Sequence, residues 1–221
     1  VRVSVGVDHT CALLGTGTVR CWGVNTSGQL GNGTTTPPPF FPVVTVTGLS
    51  DVLAVDSGYQ FSCAVRATGT VSCWGNDAWG KLGNGASGSS SVPVAVTGIT
   101  NATGVSVGTD HACASLADGT VRCWGSNSDG QLGHGSATSR AEDPVEVTGV
   151  TTAQSVAAGH AHSCALLADG SLRCWGDNIR GALGNGADTT DSNAPTAVVG
   201  LTDVTGVTAG DGTTCATLAG R

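Results

Sequence analysis

Short apolar stretches alternate with small and polar residues in one order, and that order returns along the whole chain. Val105-Ser106-Val107-Gly108 has the two-residue period of a half-buried strand closed by a turn. After two variable residues, His111-Ala112-Cys113-Ala114-Ser115-Leu116 reads as a second strand, and Ala117-Asp118-Gly119 as a hairpin loop with Gly in the left-handed position. Val121-Arg122-Cys123-Trp124-Gly125 is a third strand, and Pro144 opens a fourth, Pro144-Val145-Glu146-Val147. We label these positions A, B, C and D. Gly-x-Leu-Gly-x-Gly lies between C and D at 28–33, 80–85, 130–135 and 181–186.

The cysteines give the period. They fall at 11, 21, 63, 73, 113, 123, 164, 174 and 215, ten residues apart within each pair and 50 to 52 between first members of successive pairs. A fixed period of about 50 residues is the mark of a propeller or solenoid built from one supersecondary unit. The units run 1–50, 51–101, 102–152 and 153–203, with a partial fifth at 204–221, and the whole is read as a single all-β repeat domain. The hairpin register places Cys11 opposite Cys21, Cys63 opposite Cys73, Cys113 opposite Cys123 and Cys164 opposite Cys174. Directly opposed Cα atoms about 4.5 Å apart are within disulfide reach. Four cross-strand disulfides are expected; reduced, buried thiols are the alternative that the sequence leaves open. Zinc is disfavoured, because a ten-residue gap is not a chelate spacing. The partner of Cys215 would fall at position 225, beyond Arg221, so the chain is read as a fragment or part of a longer array.

Composition agrees with strands and turns: of 221 residues 35 are Gly, and charged residues make up only 11%. The net charge of −7, with Lys81 the single Lys, argues against nucleic acid as a partner. No apolar run is long enough for a membrane helix, so membrane insertion is not expected. Disulfides point to an oxidising compartment, hence to an extracellular protein, secreted or on the cell surface.

Gly6, His9, Ala12, Leu13, Trp22, Gly23, Asn25, Gly28, Gln29, Leu30, Gly31 and Pro42 together carry a resemblance to the repeat of the regulator of chromosome condensation 1 (RCC1) family. The resemblance implies a β-propeller of four-stranded blades, usually seven. Seven would need roughly 357 residues, so this chain implies an incomplete ring, a fragment or a self-assembling arc. It also implies guanine-nucleotide exchange on a small GTPase with chromatin binding, which the acidic charge and expected disulfides oppose.

In an up-and-down blade the A–B turns and C–D loops share one face, and these segments vary from unit to unit here. Variation on one face of a constant scaffold is where recognition is expected. Trp79 is the only Trp outside Cys-Trp-Gly. With Tyr59, Phe40, Phe41, Ile179 and Arg180, and with Asp110 and His160 in the turns, it makes the candidate binding set. The alternative is that Trp79 and the two Phe cover a neighbouring blade. Trp22, Trp74, Trp124 and Trp175 are expected in the blade core, and His9, His111 and His162 as structural histidines. Asn25, Asn32 and Asn101 stand in glycosylation sequons. No nucleophile, carboxylate pair, cofactor motif or metal set stands out, so the chain is expected to be non-catalytic and without a cofactor. The expected partner is a protein or glycan, with a ring or filament of copies as the alternative.

Overall fold

A computed structural model describes residues 1–36, 42–186 and 189–220. Each unit forms one antiparallel meander. The first holds β1 (Arg2–Val5), β2 (His9–Leu13), β3 (Val19–Gly23) and β4 (Val44–Thr45). The second holds β5 (Val52–Ser57), β6 (Phe61–Arg66), β7 (Val71–Gly75) and β8 (Ser90–Ala95), and the third β9 (Ala102–Val107), β10 (His111–Leu116), β11 (Val121–Ser126) and β12 (Arg140–Glu146). The fourth holds β13 (Ala153–Ala158), β14 (His162–Leu167), β15 (Leu172–Gly176) and β16 (Ser192–Ala197); β17 (Val204–Ala209) and β18 (Thr214–Leu218) make a final hairpin. Four four-stranded blades and one two-stranded sheet result, each in sequential strand order.

The B–C register is the expected one. Cys63 faces Cys73, and Cys113 faces Cys123. All four pairs are disulfide-bonded, with Cα atoms 4.0–4.1 Å apart, and Cys215 is free and exposed. Strand D differs in extent. It begins before Pro93, Pro144 and Pro195, at Ser90, Arg140 and Ser192, with a register shift opposite the Trp of strand C. Strand D is the outer edge of the blade, where a missing N–H breaks no ladder.

The tryptophans sit between blades rather than within one. Trp74 packs with Leu30, Val46 and Cys11 of the preceding blade, and its Nε1 donates to the Gln29 carbonyl at 2.9 Å. Trp124 and Trp175 repeat this on the Lys81 and Gln131 carbonyls at 2.9 and 2.8 Å. The second Gly of Gly-x-Leu-Gly lies under the incoming indole: a Cβ on Gly83 would stand 2.6 Å from Trp124 Cδ1. Among the described residues no Gly-x-Leu-Gly turn lies against Trp22, which is half-buried.

Histidines and hydroxyls complete each junction. His9 Nε2 meets Ser62 Oγ at 2.7 Å, His111 Nε2 meets Ser163 Oγ at 2.8 Å, and His162 Nε2 meets Thr214 Oγ1 at 3.0 Å. Between the second and third blades the two positions are Phe61 and Ala112, both fully buried. The hydroxyl and the imidazole are therefore present together or absent together.

Candidate functional site

Backbone hydrogen bonds hold the A–B turns beside the C–D loops. The residue after Cys-Trp-Gly donates its N–H to the A–B turn of its own blade: Val24 to the Asp8 carbonyl, Asn76 to Gln60, Ser126 to Asp110 and Asp177 to Ala161, at 2.7–2.9 Å. The Gly of Cys-Trp-Gly has a positive φ of 103–117°. A Cβ there would collide with that same turn carbonyl, at 2.3 Å for Gly75 and Gln60 O. Next along the loop, a buried side-chain oxygen caps the Leu of Gly-x-Leu-Gly. Leu30 N–H donates to Asn25 Oδ1 at 3.0 Å, and Asp77, Asn127 and Asn178 act alike on Leu82, Leu132 and Leu183. The two variable segments thus form one continuous face. Asn25 is fully buried in this role, so its sequon is closed to a glycan in the folded state.

The second and third blades hold the most distinctive part of that face. Lys81 occupies the position of Gln29 and Gln131 in the repeat, with its side chain only 1% exposed. Its Nζ donates to Asp110 Oδ1 at 2.8 Å and to the Tyr59 carbonyl at 3.2 Å. It also lies 5.2 Å from the Phe61 ring centroid and 5.5 Å from that of Tyr59. One buried ammonium thereby ties the A–B turns of two blades. Above it, Tyr59 is 39% exposed and Trp79 48% exposed. Trp79 belongs to a single 3-10 turn, Ala78–Gly80, that packs against β11 and β12 of the next blade. Its φ is 70°, and that of Gln60 is 63°. Bulky residues in the left-handed region are outliers held in place by their surroundings.

The sequence-derived set divides as follows. Tyr59 and Asp110 meet through Lys81. Tyr59 and His160 also line, with Val7, Thr109 and Asp211, an open cavity of about 400 Å³ at the A–B turns. Trp79 is outside that cavity, on the C–D side of the same face. Ile179 is exposed, and Arg180 Nη1 lies 3.5 Å from Asp211 Oδ2, at the rim of a separate groove. Phe40 and Phe41 fall outside the described residues. Lys81 was missed as a site residue. The available signals were its departure from Gln in the repeat and the Phe61 that replaces His beside it.

The buried histidines are neutral. Burial pushes the His111 pKa down to about 3, with His162 and His160 adding to it, and burial likewise lowers His9 and His162. Ser163 donates its own hydrogen to the Gln131 carbonyl at 3.1 Å, so His111 must donate from Nε2, leaving Nδ1 unprotonated and without a partner. Among the described residues no group of three His, Cys, Asp or Glu side chains could hold a metal ion, and no helix is long and apolar enough to cross a membrane.

Repeated blades joined by indole, imidazole and hydroxyl contacts define a β-propeller repeat scaffold. The sequence profile of the Regulator of chromosome condensation (RCC1) repeat matches residues 16–65, 68–115, 118–166 and 169–217, and the chain belongs to this family. It is 34% identical over 204 residues to human E3 ubiquitin-protein ligase HERC2, covering 90% of this chain and 4% of that protein. To the Ultraviolet-B receptor UVR8 of Arabidopsis thaliana it is 31% identical over 194 residues, covering 87% and 33%. The crystal structure of human WBSCR16 superposes with a TM-score of 0.84 at 27% identity, over 96% of this chain and 56% of that one. The chain therefore spans well under two thirds of each of these relatives.

Proposed function

We propose that the chain is a non-catalytic, exported recognition module that binds a protein through the A–B/C–D face of its second and third blades. The observation that carries this is the pair Trp79 and Tyr59, half-exposed aromatics above a buried Lys81 that is ion-paired with the half-exposed Asp110, with Trp79 and Gln60 held in the left-handed region. Rigid aromatics with little rotamer freedom left to lose are favoured anchors at interfaces. A glycan stacking on Trp79 is the alternative ligand class. Export is supported by four disulfides in a small-residue scaffold. Separate protein and glycan arrays, probed with the parent chain and with Trp79→Ala, Tyr59→Ala and Lys81→Gln, test the reading. Loss of protein ligands in the first two variants is expected; ligands retained by both variants refute the proposed face.

A further inference from the structure

The charges of the chain are not shared evenly between its two faces. Arg20, Arg66, Arg122 and Arg173 lie beside the B–C hairpins, where Asp51 and Glu146 pair with Arg66 and Arg122. On the A–B/C–D face the Lys and Arg side chains among the described residues are Lys81, Arg140 and Arg180, and each is already taken up by a carboxylate. Lys81 Nζ meets Asp110 Oδ1 at 2.8 Å, Arg140 Nη2 meets Glu142 Oε1 at 2.9 Å, and Arg180 Nη1 meets Asp211 Oδ2 at 3.5 Å. Asp8, Asp129, Asp143, Asp177 and Asp191 share that face, and among the described residues none of them is ion-paired with Lys or Arg. The face therefore carries uncompensated negative charge.

Carboxylates also frame the Trp79 loop. A Cβ on Gly80, the residue after Trp79, would stand 2.8 Å from Glu142 Cα, and one on Gly85 would stand 2.8 Å from Asp143 Oδ1. Gly85 N–H donates to the Glu142 carbonyl at 3.2 Å. Within the loop, burial raises the Asp77 pKa, and the charge of Glu142 adds to it. Asp143 is exposed. Beside Trp79, the molecule already holds one cation by the same combination of groups: Lys81 Nζ lies 5.2 and 5.5 Å from the Phe61 and Tyr59 ring centroids and is neutralised by Asp110.

We infer that the Trp79 face takes an arginine-bearing, net cationic segment of a partner protein, one guanidinium lying on the indole and neighbouring cationic side chains meeting rim carboxylates such as Asp143. Indole is the best aromatic acceptor of a cation, and a planar guanidinium stacks on a ring while its edge still donates hydrogen bonds. Uncompensated carboxylates around the anchor speed the encounter and reject anionic partners. The inference rests on the recognition role proposed for Trp79 and Tyr59 and adds the chemistry of the partner.

The test uses arrays of short synthetic peptides in three sets of equal aromatic content, one rich in Arg, one uncharged and one rich in Asp and Glu, probed with the whole chain. Binders that depend on Trp79 should come from the Arg set. In solution, Trp79→Ala, Asp143→Lys, or citrulline in place of the peptide's Arg should each weaken the best of them about tenfold. Raising salt from about 0.05 M to about 0.5 M should weaken it further, as charges are screened. Asp143→Lys, at an exposed position, should keep the parent urea midpoint. Trp79-dependent binders found equally in the uncharged or acidic set overturn the cationic partner and leave the recognition face standing. Unchanged affinity for Asp143→Lys or for the citrulline peptide overturns the inference in the same way. Arg-set binding that ignores Trp79→Ala is unspecific attraction to an acidic surface and overturns both readings, as does the absence of binders from every set.

Discussion

Exchanging one histidine junction for the apolar one already in the molecule gives a test with its own internal control. Ser163→Ala removes the acceptor of His111 Nε2–H in a site with no exposed surface, where Nδ1 already lacks a partner. Leaving a buried donor unpaired costs about 1–3 kcal/mol. His111→Phe alone is milder, because Ser163 keeps the Gln131 carbonyl; about 1 kcal/mol is expected from the larger ring. The double variant recreates Phe61 facing Ala112, so its stability at pH 7 should return to within about 1 kcal/mol of the parent, and the cycle should show coupling. Acid separates the two junction types further. A depressed histidine pKa means that the folded state binds fewer protons than the unfolded state. That stability is complete above about pH 6.5 and is lost as pH falls toward the folded value of about 3. For a fully buried imidazole the whole effect is about 5 kcal/mol, of which about 3 kcal/mol is gone by pH 4. Urea unfolding followed by tryptophan fluorescence at pH 7 and pH 4 reads both quantities. If Ser163→Ala is harmless, or if the double variant weakens in acid as steeply as the parent, the assignment of His111 as a neutral donor is wrong.

Asp56 should respond in the opposite sense. Its carboxylate joins three blades, accepting Ser4 Oγ–H at 2.7 Å and Val107 N–H at 2.8 Å, and burial raises its pKa. A raised carboxyl pKa contributes stability that is full below the unfolded value and is lost as pH rises through the folded one. Asp56→Asn should therefore leave the pH 7 melting temperature unchanged or higher and remove a gain seen on mild acidification; a clear loss at pH 7 counts against it. Reduction should add two hydrogens per bridge, eight in all, to the intact mass. With partners ten positions apart, each lost bridge should cost about 3 kcal/mol by loop entropy, read as a lower urea midpoint. Gly83→Ala combines a φ of 62° with a Cβ 2.6 Å from the Trp124 ring, so it should cost about 2 kcal/mol or more in the same assay. A parent-like midpoint for it means that the indole has room to shift.

The period, the hairpin registers and the disulfides were legible because a two-residue alternation and a ten-residue offset are local facts, fixed within one B–C hairpin such as Cys113–Cys123. What the chain did not disclose lies across blades. The place of Trp74 depends on a carbonyl 45 residues away, and that of His9 on a hydroxyl 53 residues away. Lys81 looked like a scarce charge, and only the fold brings Asp110 within 2.8 Å to neutralise it. Arg180 and Trp79 are both on loops of one type, yet they border different features, since the loop's neighbour is set by the following unit.

The shared authorship of each junction limits how the array can be cut and rejoined. Excising unit 4 would bring His111 to Thr214, a matched pair, whereas excising unit 2 alone would face His9 with Ala112 and strand its imidazole. Excising unit 3 alone would set Phe61 against Ser163. Removing units 2 and 3 together restores a match, His9 with Ser163, so these two repeats form one heritable cassette that gene rearrangement can drop or duplicate only as a pair without leaving a mismatched seam.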